Sequence, residues 1–355
     1  MRLAAEDKYP HIETKVIDIL QFMPGVLARI YSGGYLLAAN RYPPLWYMLY
    51  ERGSDLSRFK PSGGWHDIFW KSVFRGFFEL LKEEKPDFII SAHFLSSWLA
   101  GEYKSRDGTG CRVATVITDF GVHPVWVNAG QDMVFVATEQ LRAELRPFSS
   151  YFGTERIEVA GIPIHPRYVE DKDTESLKDK FKLDRDRKTI LIMAGISGSD
   201  NINRILSALA ECRSRIQIIL VGAKLKPVPE GLRRKLSQKT IWVQQYGYIE
   251  FMDELMRISD LAISKTGGLT TSECLAAGLP LIAYKPYPGQ EERNCNYLLE
   301  EGAAVRIEQI SGLAYKIDHL LEEEGRLERM KDNALRIARP DAAARIVETL
   351  LQTHE

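Results

Sequence analysis

Short apolar runs that keep returning after longer amphipathic stretches constrain this chain more than any other feature. They fall at residues 15–20, 87–92, 112–118, 133–137 and 156–159, then at 188–193, 216–221, 241–244, 261–264 and 281–284. Runs this uniformly apolar suit strands buried on both faces. Helical patterns at 67–84, 201–212, 251–258 and 270–277 separate them, and such alternation builds parallel sheets through βαβ crossovers. At 355 residues the chain exceeds one ordinary core. The expected fold class is therefore α/β, with two Rossmann-like, doubly wound parallel-sheet domains. The run G-I-P-I-H-P at 161–166 is the expected linker, which sets domains at 1–162 and 163–340. A charged helix at 171–182 opens the second domain, and a last helix within 341–355 is expected to pack back at the domain junction.

Charge and cysteine usage exclude several functions. Lys and Arg number 47 against 48 Asp and Glu, so affinity for nucleic acid through phosphate neutralisation is not expected. Cys111, Cys212, Cys274 and Cys295 are scattered, without a Cys-x-x-Cys pair or a metal-like histidine spacing, as suits reduced thiols in a cytoplasmic protein. No run approaches the roughly 18 apolar residues of a membrane-spanning helix, and the polar N-terminus lacks a signal-peptide core. Any membrane contact is expected to be peripheral.

Several strand-to-helix loops in the second half carry ligand-binding chemistry. The first is M-A-G-I-S-G-S-D at 193–200, where Ser197 and Gly198 precede a helix start with free N–H groups. A plain turn explains that loop equally well. A more specific one is S-K-T-G-G-L-T-T-S-E, from Ser264 through Lys265, Gly267, Gly268, Leu269 and Thr270 to Glu273. Paired glycines make the turn, Thr270 or Thr271 caps the helix, and Glu273 falls within about its first turn. There Glu273 is either a capping-box acid or an acceptor for two ribose hydroxyls. One strand later, Gln290 and Glu291 at a helix start suit a hydroxyl-rich ligand or simply solvent, with Asn294 close behind. Tyr248 and Ile249 follow another strand, where backbone groups suit a nucleobase edge. All these loops lie at carboxyl ends of strands, where open α/β sheets bind ligands.

Residues 30–78 crowd tyrosine, tryptophan and phenylalanine among Arg41 and Arg52. Two readings stay open: the core of a helical insertion, or an interfacial patch for the headgroup layer.

The block I-S-K-T-G-G-L-T-T-S-E, A-x-G-L-P, Y-K-P-Y-P-G-Q-E and R-N over 263–294 resembles the processive diacylglycerol β-glucosyltransferases and monogalactosyldiacylglycerol synthases. These are relatives of the peptidoglycan lipid-intermediate N-acetylglucosaminyltransferase. V-I-T-D through His123, F-V-A-T-E at 135–139 and G-I-P at 161–163 agree, so the resemblance covers nearly the whole chain. It implies a GT-B fold of two domains facing a cleft, the C-terminal one binding UDP-glucose or UDP-galactose. The N-terminal domain would meet diacylglycerol, or glycosyl-diacylglycerol, on an anionic membrane at the inner face of the cell membrane. By position, Glu273 would hold ribose and Gln290 and Glu291 the sugar. Gly267, Gly268, Leu269 and Thr270 would sit at the diphosphate, with Ser197 and Gly198 nearby, and Tyr248 and Ile249 at uracil; Lys265 and Asn294 belong to the same block.

The family begins with a strand and a glycine-rich loop ending in a histidine base. Here Met1–Ala5 reads as the middle of the helix that follows such a loop, so a preceding piece is expected. Within the chain in hand, Asp119 and His123, after the run 112–118, are the acid/base candidates, with His93 in the equivalent place one strand earlier. Transfer is expected to invert the anomeric carbon. No metal or other cofactor is expected, because no Asp-x-Asp pair follows a strand and helix-end N–H groups can stabilise departing UDP. The alternatives are a UDP-sugar 2-epimerase of the same architecture and a catalytically impaired UDP-sugar-binding protein.

Overall fold

A computed structural model of the chain describes residues 1–29, 65–107, 110–194 and 199–352. These divide into two compact units, the first formed by 1–163, 288–290 and 341–355, the second by 164–287 and 291–340.

In the first unit the described residues form a parallel sheet of β1 (Phe88–Ser91), β2 (Arg112–Val116), β3 (Met133–Val136) and β4 (Ile157–Val159), in that order. Every residue of β3 is buried, which is why its sequence is an unbroken apolar run. The C-terminal helix Ala342–Gln352 groups with this unit; its Ile346 and Leu350 pack with Ala114, Val116, Met133, Phe135 and Ala160.

The run at 15–20 is not a strand. Residues 13–18 join no β-ladder among the described residues, and Ile19–Phe22 turns as a 3-10 helix on Asp18, whose Oδ1 accepts from Leu20 N at 2.9 Å. An apolar run becomes a strand only when a ladder takes up its backbone groups. The helix expected at 67–84 is two, Trp65–Val73 and Arg75–Glu84, broken at Phe74. Phe74 and Phe77 are buried, and Trp70 stacks on Phe74 with ring centroids 6.0 Å apart. These rings pack in a cluster with Ile19, Leu95, Leu99 and Tyr103, whereas Phe69 is 52% exposed. The rest of the aromatic region, 30–64, lies outside the described residues.

The second unit holds β5 (Lys188–Met193), β6 (Ile216–Val221), β7 (Val243–Tyr246), β8 (Leu261–Ser264), β9 (Leu281–Tyr284) and β10 (Ala304–Ile307). The order β10-β9-β8-β5-β6-β7 is parallel throughout. The chain winds outward from β5 to β7, then returns to β8 on the other side. That reversal makes the carboxyl ends of β5 and β8 a topological switch point, where crossovers diverge and leave a crevice for ligand. The strand β10 had no expectation in the sequence: its Arg306 interrupts the apolar run.

Candidate donor-binding site

β8 ends at Ser264, and the helix Gly268–Ala276 starts four residues later. Its N-cap is Gly267, with no side-chain cap. The expectation that Thr270 or Thr271 caps it is therefore corrected: both lie inside the helix. Glu273 also stands in the second turn rather than the first, too far along for a capping box, which needs the acid three residues after the cap. The N–H groups of Gly268, Leu269 and Thr270 lack intrahelical acceptors by position. They sum with the helix dipole to favour an anion. Gly267 has φ −66°, an ordinary value, and a Cβ built on it would meet nothing within 4 Å. Neither backbone conformation nor crowding demands glycine there, and the open space lies beside the uncapped helix end.

Two loops are latched together behind that opening. Thr266 is fully buried; its Oγ1 donates to the Glu291 carbonyl at 2.5 Å, and its own carbonyl accepts from Asn294 Nδ2 at 2.8 Å. Asn294 is also fully buried, so the structure puts it behind the loop and not on its ligand-facing surface. The Glu291 carboxylate accepts from Tyr287 N at 2.6 Å. The ammonium of Lys265 sits 3.3 Å from the centroid of the Tyr287 ring, a cation–π contact. Gln290, which groups with the first unit, donates to Asp119 Oδ2 at 2.9 Å.

Glu273 is half-buried. Burial pushes its carboxyl pKa up, while a hydrogen bond from the Tyr168 hydroxyl and the nearby Arg167 charge pull the other way. Tyr168 lay outside every sequence expectation, because nothing in R-Y-V-E announces a partner about a hundred residues on. Tyr248 and Leu269 are exposed to 80% and 53%, large apolar surfaces left open at the ends of β7 and of the Gly268 helix. Ile249, next to Tyr248, is half-buried. Ser197 and Gly198 lie outside the described residues.

The histidine candidates have a local task. His123 Nδ1 accepts from Val125 N at 3.2 Å, capping the 3-10 turn Pro124–Trp126. His93 Nδ1 accepts from Leu95 N, also at 3.2 Å, and burial lowers its pKa. His165 caps Pro166–Tyr168 in the same way. A ring nitrogen that receives a backbone N–H carries no proton, so in the neutral ring the proton sits on Nε2. That tautomer suits orientation or hydrogen-bond donation, and it opposes proton abstraction by Nε2. Of the sequence candidates, Asp119 keeps the acceptor character a base requires.

Residues 2–164 match the family model of monogalactosyldiacylglycerol (MGDG) synthase, and residues 173–336 that of glycosyl transferases group 1. The chain is 31% identical over 290 residues to the processive diacylglycerol β-glucosyltransferase of Bacillus subtilis, covering 81% of this chain and 75% of the relative. The enzyme of the same name from Bacillus cytotoxicus is 32% identical over 306 residues, 86% of this chain and 77% of the relative. Among solved structures, Acinetobacter baumannii MurG superposes with a TM-score of 0.58 at 17% identity, over 78% of this chain and 76% of its own. The UDP-GlcNAc 2-epimerase of Neisseria meningitidis does so at 0.59 and 17%, over 84% of both. At such identities these structures speak for the two-domain GT-B fold alone.

Proposed function

The chain belongs to the processive diacylglycerol β-glucosyltransferase family, and from that premise we propose that it moves glucose from UDP-glucose to diacylglycerol with inversion. Hexosyl transfer from a UDP-sugar to diacylglycerol is the family's activity; glucose over galactose rests on the names of the relatives at 31–32% identity. The epimerase alternative falls away, since its support is a 17% likeness of fold.

The observation that carries the donor site is the uncapped helix start at Gly268, at the switch point and beside open space at Gly267. Diphosphate oxygens would accept from the N–H groups of Gly268, Leu269 and Thr270, with the Lys265 ammonium near. Glu273 would accept from the ribose hydroxyls, and Tyr248 and Ile249 would border the base. Glu291 and Asn294 would act by holding the loops, and Gln290 by contacting the sugar or Asp119. When the acceptor hydroxyl attacks the anomeric carbon, the bond from that carbon to the UDP oxygen breaks. The departing charge falls to the helix N–H groups and Lys265, without a metal. Asp119 takes the acceptor's proton, and His123 orients groups around it.

We further propose peripheral contact with anionic membrane, on the cytoplasmic face. No helix among the described residues is long and apolar enough to cross a bilayer, and the acceptor itself resides in one.

Turnover of UDP-glucose and UDP-galactose on vesicles containing diacylglycerol tests the reading. UDP-glucose should give a β-glucosyl lipid without added divalent cation, and Asp119→Asn should lower turnover by about 10²-fold or more while UDP still binds. Binding of UDP with no hexose transferred from either donor would leave a nucleotide-sugar-binding protein instead. Retained turnover in the Asp119 variant would remove that residue from the chemistry.

A further inference from the structure

Beside the helix start at Gly268, four residues of the second unit close a circuit between two loops. The Lys265 ammonium rests 3.3 Å from the centroid of the Tyr287 ring, and Tyr287 N donates to the Glu291 carboxylate at 2.6 Å. The Glu291 carbonyl accepts in turn from Thr266, the neighbour of Lys265. Tyr287 has little freedom in this circuit. It stands between Pro286 and Pro288, and a residue before proline is pushed out of the helical region. Gly289 follows with φ 103°, a value that suits glycine, where the chain turns into the helix Gln290–Glu300. A stiff loop thus presents the ring.

The partner of Lys265 decides what the lysine can do. Among the described residues its ammonium forms no salt bridge. A carboxylate there would cancel its charge. An aromatic face attracts the cation through the ring quadrupole while staying neutral itself, so the positive charge remains for an anion. A lysine without such a hold, on its flexible four-carbon stem, must be ordered by the ligand, at a cost in affinity.

We propose that Tyr287 is a positioning residue that holds the Lys265 ammonium, charge intact, for the diphosphate of the nucleotide sugar. This rests on the diphosphate reading of the Gly268 helix start. Lys265 stands two residues before the N-cap Gly267, so its cation adds to the N–H groups there.

The test is the affinity of UDP and of uridine for the full chain, by titration calorimetry at low salt. Wild type is compared with Tyr287→Phe, with pentafluorophenylalanine at position 287, and with Lys265→Met. The two phenyl rings have nearly the same shape and both lack the hydroxyl, but fluorine drains the face that attracts a cation. Wild type should bind UDP about tenfold or more tighter than uridine. Relative to Tyr287→Phe, the fluorinated ring should weaken UDP by about fivefold, the magnitude of one cation–π contact, and leave uridine within about twofold. Lys265→Met should weaken UDP by about tenfold, and the fluorinated ring should then add little to it.

Equal affinity of wild type for UDP and uridine would overturn the diphosphate reading, and the proposal with it. A wild-type preference that survives in Lys265→Met would overturn the roles of Lys265 and Tyr287 alone. So would a fluorinated ring that leaves UDP untouched, weakens both ligands alike, or tightens UDP by releasing the lysine. Should that variant fail to fold, Tyr287→Leu is read by the same pattern: loss of UDP affinity without loss for uridine supports the proposal, and any other result counts against it.

Discussion

Gly267 has ordinary backbone angles and open space where a side chain would go. Its cost in the unfolded chain is therefore not offset by any turn it makes possible. Gly267→Ala should leave the unfolding free energy within about 0.5 kcal/mol, while its methyl occupies the approach to the helix end. UDP affinity should drop by about tenfold or more, as read by titration calorimetry; unimpaired binding would place the diphosphate elsewhere. The glycine pair was legible in the sequence as a turn. That the first glycine is conformationally unnecessary was not, since φ is set by how β8 and the helix are held. The histidines make the same point in reverse. His123 and His93 read as candidate chemistry, yet each ring is turned back onto its own backbone, which fixes the tautomer.

At the scale of elements, the site depends on a sheet whose crossovers stay in place. The loop that leads into β6 is tied to the helix Leu313–Glu322 by Asp318. Its carboxylate accepts from Arg213 N at 3.0 Å and Ser214 N at 2.9 Å. Burial alone would raise the Asp318 pKa, but those backbone donors outweigh it and hold the carboxyl below its usual range. A depressed carboxyl contributes stability above its unfolded pKa, near 3.9, and loses it as pH falls through the folded value. Asp318→Ala should thus cost about 1–3 kcal/mol at pH 7, leaving part-buried N–H groups unmet. The gap to wild type in denaturant unfolding should close toward pH 3; a constant gap would mean that packing, not charge, is what the residue contributes.

For the whole molecule, the chain's last helix returns to the first unit. Ile346 is fully buried there, beside β2 and β3 residues. Ile346→Asp should destabilise by about 3 kcal/mol or more, through a charge with no partner in an apolar core. Urea unfolding should show it, with UDP affinity measured below the transition within about twofold of wild type, since the donor residues lie in the second unit. An unchanged transition would separate the helix from that core.

By itself the sequence determined four of the six strand positions of the second unit. β5, β6, β8 and β9 stand where their apolar runs lie, because a strand buried on both faces needs a solid run and little else. It also marked the loop after β8 as the place for a phosphate-bearing ligand, since glycine at a strand-to-helix turn is a local signal. Pairing and partnership were decided only by tertiary structure. The run 15–20 has strand composition but no ladder partner among the described residues, β10 is a strand despite Arg306, and Asn294 is drawn beneath Thr266. Each depends on groups far apart in the chain meeting at hydrogen-bond distance, and composition, periodicity and spacing carry no record of that meeting.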